Sequence, residues 1–175
     1  MRYLNFCILL LIRVDMKGFR VLSCVVGVFV SLYAMHVEHM NSIDTDYVAS
    51  CDLSATMSCS KVLSSEYGHL FSHIGLLPKD SVLDQSNAFY GLIFYCIVGL
   101  LAVQASRSTA MVRLNTVLAV TGVVFSLVLA YILKFVLEDF CVVCVTTYVC
   151  NTVIFVDSMI EYASSAKATA KSKGC

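Results

Sequence analysis

The last apolar segment of the chain opens with the sequence FCVVCVTTY at residues 140–148. On a helix, Cys141 and Cys144 share one face, and Tyr148, seven residues after Cys141, lies on that face too. Asp139 is a candidate N-cap for this helix. The dipole and unpaired amides at a helix start favour a thiolate, so a CxxC pair placed there is primed to exchange disulfides. Because mostly apolar residues follow, the stretch predicts a redox centre at a membrane surface.

The composition of the whole chain also indicates a membrane protein. Of its 175 residues, 59% are apolar and 14% are charged, with one proline and no tryptophan. A soluble domain of this size has too little interior to hide so much apolar surface. The formal net charge is zero, so nothing suggests a nucleic-acid partner. The nine cysteines are numerous, but they are not spread as in a secreted disulfide scaffold.

Four apolar segments are predicted to span a membrane, which requires about 20 residues each: 18–36, 88–105, 114–137 and 140–160. The polar stretch 37–87 between the first two is expected to form a small cap with short helices along the membrane face. Spans and cap together make one domain, 18–162. We expect residues 1–17 to be a cytosolic or interfacial extension rather than a signal peptide, and residues 163–175 to be a disordered cytosolic tail.

The basic residues predict the orientation of these spans. With four spans, nine lysines and arginines fall on one side: Arg2, Arg13, Lys17, Arg20, Arg107, Arg113, Lys167, Lys171 and Lys173. The other side has Lys61 and Lys79, with Lys134 near the end of the third span. Both termini are therefore expected to be cytosolic. The cap and the CxxC pair then face the opposite compartment, where disulfides are allowed.

Two cysteine pairs share that compartment in this arrangement. Cys51 and Cys59 lie in the long loop, and Cys141 and Cys144 lie at a helix mouth. Two dithiols in series make an electron relay, because thiol–disulfide exchange passes two electrons through a mixed disulfide. The alternative is a structural Cys51–Cys59 bridge beside a CxxC that occurs by chance. A zinc site is also conceivable, but the four histidines belong to other segments, and we expect no metal.

Two polar residues at membrane depth require partners. Asn87 stands at the mouth of the second span, and Tyr148 lies on the face of the cysteine pair. An amide and a phenol each donate a hydrogen bond to a carbonyl oxygen. With Phe89 and Phe94 nearby, they suit a flat apolar molecule that bears ketone groups. The alternative is that Asn87 caps its helix and Tyr148 anchors the interface.

An ordered set of motifs covers about residues 18–155. It reads S-L-Y-A-x-H-V, then C-D followed after six residues by C-S, then Q-S-N with G-x-I-F-Y, then L-A-Y-I-L, and finally D-F-C-V-V-C-x-T-T-Y. This combination closely resembles the animal vitamin K epoxide reductase family. The loop at residues 61–68 departs from it, because related chains often carry a more basic stretch with tryptophan there.

The resemblance implies an all-α membrane protein: a four-transmembrane-helix bundle in the endoplasmic reticulum membrane, multi-pass, with a lumenal cap between spans one and two. Cys144 would meet the substrate, vitamin K epoxide or quinone, and Cys141 would be resupplied by the shuttle pair Cys51 and Cys59. Asn87 and Tyr148 would bind the naphthoquinone oxygens, with Phe94 beside them. A lumenal thioredoxin-fold oxidoreductase would be the dithiol reductant, coumarin-type anticoagulants would inhibit, and no cofactor would be tightly bound.

Two competing functions use the same sequence features. A quinone-coupled disulfide oxidase would need the same four cysteines, with the direction of electron flow set by potentials that the sequence does not show. A non-catalytic four-span scaffold would carry a disulfide-stapled loop, as tetraspanins do. In tetraspanins, however, that loop falls between spans three and four and contains Cys-Cys-Gly, which is absent here.

Overall fold

Nearly all of the described residues are helical or lie in short connections. The structure is a computed structural model that describes the backbone of residues 2–44, 46–52, 54, 57–75, 78, 81, 83–104 and 108–173, with side chains from 18 to 170 within these ranges. Across these residues there is no β-strand, only an isolated bridge between Ser54 and Met57. The helices are α1 (Arg2–Ile43), α2 (Cys59–Leu63), α3 (Leu70–His73), α4 (Asn87–Val103), α5 (Thr109–Phe135) and α6 (Val142–Lys173), and a 3₁₀ turn at Glu66–His69 precedes α3.

The four long helices pack as a ring around a common interior. Helix α1 lies against α4 and α6, α5 lies along α6, and α4 meets α5. Three of them contain segments long and apolar enough to cross a membrane, namely Gly18–Ile43, Thr109–Phe135 and Val142–Ala170. Helix α4 is equally apolar in character but has 17 residues. The prediction of an all-helical membrane protein is therefore confirmed.

Both terminal helices are longer than predicted. Helix α1 runs from Arg2 to Ile43 rather than from 18 to 36, because no proline interrupts it. Helix α6 continues to Lys173, so the prediction of a disordered tail is wrong for its described backbone. That stretch is rich in alanine and lysine, which are strong helix formers. The predicted extension at 1–17 continues the backbone of α1 from Arg2, and its side chains lie outside the described residues.

Serines set the starts of three helices. The hydroxyl of Ser86 accepts the backbone N–H of Phe89 at the start of α4, and Ser108 does the same for Met111 in α5. Ser58 caps the short helix α2 in the same way. After α5 the chain turns through Glu138, whose φ of 53° is left-handed and costs a non-glycine residue about 1–2 kcal/mol. This turn leads directly into the CxxC segment.

The bundle is closed at one end by a buried ionic cluster. Arg20 is fully buried, with its Nε 2.9 Å from Asp157 Oδ2 and its Nη1 2.8 Å from Glu161 Oε2. Beside it, Asn115 Nδ2 donates to Ser158 Oγ at 2.8 Å. Arg20 is one of the nine basic residues that predict the cytosolic side of the membrane, yet its side chain is paired inside the bundle. Arg107, another of the nine, lies outside the described residues.

The middle of the bundle depends on a close approach of α1 to α4. The ring of Tyr95 is packed on Gly27, and the Tyr95 side chain is 2% exposed. Its hydroxyl donates to the carbonyl oxygen of Thr147 in α6 at 3.3 Å. One aromatic side chain therefore connects three helices, and it does so because position 27 has no Cβ.

We predict that Gly27→Ala destabilises the bundle. The added Cβ would lie 2.5 Å from three ring carbons of Tyr95, and overpacking of this kind costs ~1–3 kcal/mol. Gly18→Ala is the matched control on the same helix, because a Cβ there meets nothing within 4 Å and replacing a helical glycine gains ~0.5–1 kcal/mol. Thermal unfolding of the detergent-solubilised protein measures both. An unchanged melting temperature in Gly27→Ala would contradict the packing described here.

Candidate active site

The first cysteine of the CxxC pair is itself the N-cap of α6. Cys141 directly precedes the helix, its carbonyl oxygen accepts the N–H of Val145 at 3.0 Å, and its sulfur accepts the N–H of Cys144 at 3.3 Å. The prediction that Asp139 caps this helix is wrong. Its carboxylate instead forms an ion pair with Lys61 of α2, across the loop.

Hydrogen bonds to the Cys141 sulfur favour its thiolate form. The pKa of Cys141 lies below its ordinary value, chiefly because the thiol of Cys144 hydrogen-bonds to its sulfur. Burial opposes this shift, and the backbone N–H groups of Cys144 and Val143 add to it. These two N–H groups belong to the start of α6, where unpaired amides favour a thiolate, but their contribution is smaller than that of the Cys144 thiol.

An apolar cavity of about 270 Å³ opens inside the bundle beside the second cysteine. Four of the predicted site residues line it: Cys144, Tyr148, Asn87 and Phe94. Cys141 is fully buried and is not among the lining residues. The two cysteines thus face different neighbours, with Cys144 towards the cavity and Cys141 away from it.

The cavity is also lined by polar residues that sequence reasoning missed, among them Glu38, Ser126 and Asn151. Asn151 Nδ2 donates to Ser126 Oγ at 2.8 Å. Asn151 lies three residues after Tyr148 and seven after Cys144, so helical periodicity would have revealed it. Glu38 carried no such signal, because it was assigned to the polar loop rather than to α1.

Asn87 ties the 3₁₀ turn and α3 to the start of α4. Its Oδ1 accepts the backbone N–H of Leu70 at 3.2 Å, and its Nδ2 donates to the carbonyl oxygen of Tyr67 at 2.6 Å. It does not cap α4, because Ser86 has that role. An amide nitrogen carries two hydrogens, so the same side chain that holds this segment has a second donor to offer a ligand.

Tyr148 and Phe94 both line this cavity. The Tyr148 hydroxyl is within hydrogen-bonding reach of the Cys144 thiol. The ring of Phe94 lies against Gly122, where an added Cβ would come within 2.8 Å of it, and stacks edge-on to Tyr95. A phenol and a thiol therefore meet at an otherwise apolar surface.

The loop cysteines lie next to the helix-mouth pair. Cys51 and Cys59 are joined in a disulfide. Cys59 and Cys141, both fully buried, belong to one apolar cluster, with Cys51, Cys144 and Tyr148 packed at its edge. The structure therefore brings all four predicted redox cysteines together, although 82 residues separate Cys59 from Cys141 in the chain.

Asp52 organises the loop that carries the disulfide. Burial by itself would raise its pKa, but hydrogen bonds from the Ser60 hydroxyl and from backbone N–H groups, including those of Ser60 and Ala49, outweigh burial and hold the pKa below its ordinary range. Asp52 also lies within 4.8 Å of both disulfide sulfurs, as a metal ligand would. Its two oxygens already accept hydrogen bonds from Ala49 and Ser60. This carboxylate therefore holds the loop together.

A histidine between two carboxylates joins three elements beside the cavity. His69 Nδ1 lies 3.2 Å from Asp84 Oδ1, and His69 Nε2 lies 3.9 Å from Glu38 Oε1. The hydroxyl of Ser72 donates to the same Asp84 oxygen at 2.5 Å. These contacts link α1, the 3₁₀ turn and the segment before α4.

Comparison with known proteins places the chain in a family. The family model described as the vitamin K epoxide reductase family matches residues 19–159. The chain belongs to that family. The rat and mouse proteins named "Vitamin K epoxide reductase complex subunit 1" are each 42% identical to it over 134 residues, which is 75% of this chain and 81% of each relative.

Membership of the vitamin K epoxide reductase family confirms the resemblance seen in the motifs, together with the enzyme class that the family's name states. The matched range contains all four predicted redox cysteines and the three predicted cavity residues Asn87, Phe94 and Tyr148.

We predict that Asn87→Ala destabilises this vitamin K epoxide reductase family protein by ~1–3 kcal/mol, because it leaves the carbonyl of Tyr67 and the N–H of Leu70 without their partner. Tyr148→Phe is the matched comparison, since it keeps the apolar ring and removes one hydroxyl, worth ~0.5–1.5 kcal/mol. Thermal unfolding and limited proteolysis at residues 66–73 measure the difference. Equal stability and equal proteolysis in Asn87→Ala and the wild type would show that Asn87 does not hold this segment.

Proposed function

We propose that this chain is a membrane oxidoreductase that reduces vitamin K 2,3-epoxide and vitamin K quinone to the hydroquinone. The observation that carries the proposal is the position of Cys144. This thiol lines an apolar cavity with Tyr148 and Asn87 and stands beside Cys141, which in turn packs with Cys59. The cavity suits a flat apolar naphthoquinone, and the two polar side chains suit its oxygens.

The reaction begins at Cys144. The Cys141 thiolate takes the thiol proton of Cys144 through the hydrogen bond between them as the Cys144 sulfur attacks an epoxide carbon. A C–S bond forms, the C–O bond breaks, and hydrogen bonds from Asn87 and Tyr148 stabilise the charge on oxygen until it is protonated. Cys141 then attacks the Cys144 sulfur: an S–S bond forms, the C–S bond breaks, and the electron pair left on carbon expels the neighbouring hydroxyl as water, which leaves the quinone. The balance is epoxide, one thiol, one thiolate and one solvent proton to quinone, water and one disulfide.

The shuttle pair returns the electrons. Cys59 attacks the Cys141–Cys144 disulfide and then pairs with Cys51, which restores the two active-site thiols. The reductant of the Cys51–Cys59 disulfide is a lumenal thioredoxin-fold protein, which reaches the loop and not the buried Cys141. Coumarin-type anticoagulants bind the same cavity and compete with the quinone.

The chain crosses the endoplasmic reticulum membrane four times, with α1, α4, α5 and α6 as the spans. Helix α4, at 17 residues, is just long enough to cross. The segment between α1 and α4, with its short helices, forms a cap on the lumenal side. Both termini are cytosolic, and the active site opens to the lumen.

The orientation is tested with two engineered glycosylation sites. The native chain has no N-x-S/T sequon. Val48→Asn creates Asn-Ala-Ser at a side chain in the loop that is 71% exposed, and Lys167→Asn creates Asn-Ala-Thr near the end of α6 as the matched control. We expect a glycan on the first variant alone, detected as a mobility shift that endoglycosidase removes. Glycosylation of the Lys167→Asn variant would show that the C-terminal end of α6 faces the lumen, which would contradict the proposed orientation.

The division of labour between the pairs is tested by supplying two different reductants. Dithiothreitol is small enough to reach Cys141–Cys144 directly, whereas a protein dithiol acts through the loop. We expect the double variant Cys51→Ser/Cys59→Ser to keep most of the dithiothreitol-driven epoxide reduction and to lose turnover with a reduced thioredoxin-fold protein. Cys144→Ser abolishes both reactions, because no thiolate then faces the substrate.

Three results would contradict the proposed function or its relay. Normal protein-driven turnover in the double variant would leave Cys51–Cys59 as a structural staple. Net oxidation of added dithiols by quinone, without epoxide reduction, would indicate the disulfide oxidase. A wild-type protein inert towards quinone, epoxide and dithiols would indicate the scaffold.

A further inference from the structure

An ion pair joins the two pieces of chain that carry the two cysteine pairs. Lys61 Nζ lies 2.5 Å from Asp139 Oδ2. Lys61 is the third residue of α2, two positions after Cys59, and Asp139 precedes Cys141 by two positions. The contact therefore lies next to the point where the loop pair must meet the active-site pair.

The pair is asymmetric in its burial. The Asp139 side chain is 1% exposed, whereas that of Lys61 is 64% exposed. In the described part of the chain, the Asp139 oxygens have no hydrogen-bond partner besides this ammonium group. A carboxylate withdrawn from water is costly unless it is paired. Loss of Lys61 would therefore push Asp139, and the segment around it, towards water.

Helix α2 needs such an external contact. It has five residues, too few for a helix to be stable by itself. Its bonds from Ser60 to Asp52 stay within the loop that carries the Cys51–Cys59 disulfide, so they move with that loop. The Lys61–Asp139 contact instead reaches the turn between α5 and α6, which leads into Cys141.

We propose that the Lys61–Asp139 ion pair is the positioning contact that holds Cys59 against Cys141 for thiol–disulfide exchange. This inference rests on the relay of the proposed function. In the exchange, the Cys59 thiolate attacks the Cys141 sulfur, a Cys59–Cys141 bond forms, and Cys144 leaves as thiolate. The Cys51 thiolate then attacks Cys59 and releases Cys141. Two electrons move from the loop pair to the active-site pair, and the protein dithiol that reduces Cys51–Cys59 supplies them.

Lys61 acts through position and not through contact with the reacting atoms. It does not line the cavity. The reaction driven by dithiothreitol bypasses the loop, whereas the reaction driven by a protein dithiol requires Cys59 to reach Cys141. The two reactions therefore separate a positioning role from a general structural one.

The test compares Lys61→Met, Asp139→Asn and Lys61→Arg, with Lys134→Met as the matched control. Lys134 is an exposed lysine in the last turn of α5, on the same end of the bundle. We expect Lys61→Met and Asp139→Asn to lower protein-driven epoxide reduction by about tenfold or more, because small misplacements of reacting groups have large effects on rate. The dithiothreitol-driven rate stays within about twofold, because that reductant reaches Cys141–Cys144 without the loop. Lys61→Arg and Lys134→Met keep both rates.

A second measurement needs no enzymatic activity. In a Cys51→Ser/Cys144→Ser background, Cys59 and Cys141 are left to pair with each other, and diamide oxidation should trap them as a disulfide identified by peptide mass spectrometry. We expect Lys61→Met to reduce this yield several-fold, and Lys61→Asp combined with Asp139→Lys to recover part of it. The cross-linking yield tests the positioning role of the ion pair even if the wild-type protein reduces no epoxide. In that case, only the proposed function would be contradicted.

Two outcomes would overturn the inference. Wild-type cross-linking and wild-type protein-driven turnover in Lys61→Met would show that the ion pair does not position Cys59. An equal loss of both reactions in Lys61→Met, together with a lowered melting temperature, would show that the pair serves only the stability of the fold.

Discussion

The hydrogen bond from the backbone N–H of Cys144 to the sulfur of Cys141 sets the geometry on which the candidate active site depends. It fixes the first residue of α6 and gives the two cysteines different surroundings. Cys144 enters the helix and lines the apolar cavity, whereas Cys141 remains outside the helix and belongs to the same buried cluster as Cys59. A CxxC pair that passes electrons from one dithiol to a substrate needs this separation, because one sulfur must meet each partner. The two cysteines therefore differ in their surroundings because Cys141 caps the helix and Cys144 lies within it.

The segment over the cavity is held by polar contacts at several points. Asn87 bonds to the backbone at Tyr67 and Leu70, Asp52 gathers the turn that carries the disulfide, and Lys61 reaches Asp139. These contacts are directional, and the short helices between them have too few residues to be stable alone. With these contacts, the segment can keep its position over the cavity while the cysteines exchange disulfide partners. The same contacts would make its position sensitive to single substitutions.

The opposite end of the bundle is closed by different chemistry. Arg20 is fully buried between Asp157 and Glu161, so α1 and α6 are joined there by charge rather than by apolar packing alone. Between this cluster and the two cysteine pairs lies Tyr95, packed on Gly27 and bonded to Thr147. The helices that frame the cavity are therefore fixed both at the far end and in the middle, which leaves the cavity end to accept a ligand.

Much of this protein follows from local patterns in its sequence. Apolar length predicts the long helices, and the spacing of Cys141, Cys144 and Tyr148 places two cysteines and a phenol together, because helical periodicity acts over a few residues. Three features did not follow from these local patterns: Cys141 caps α6, Asn87 bonds to Tyr67, and His69 contacts Glu38. Nor did the pairing of Arg20 with Glu161, 141 residues away. These contacts depend on how the helices pack against each other, and the partner of a buried polar group is settled only when that packing brings distant residues together.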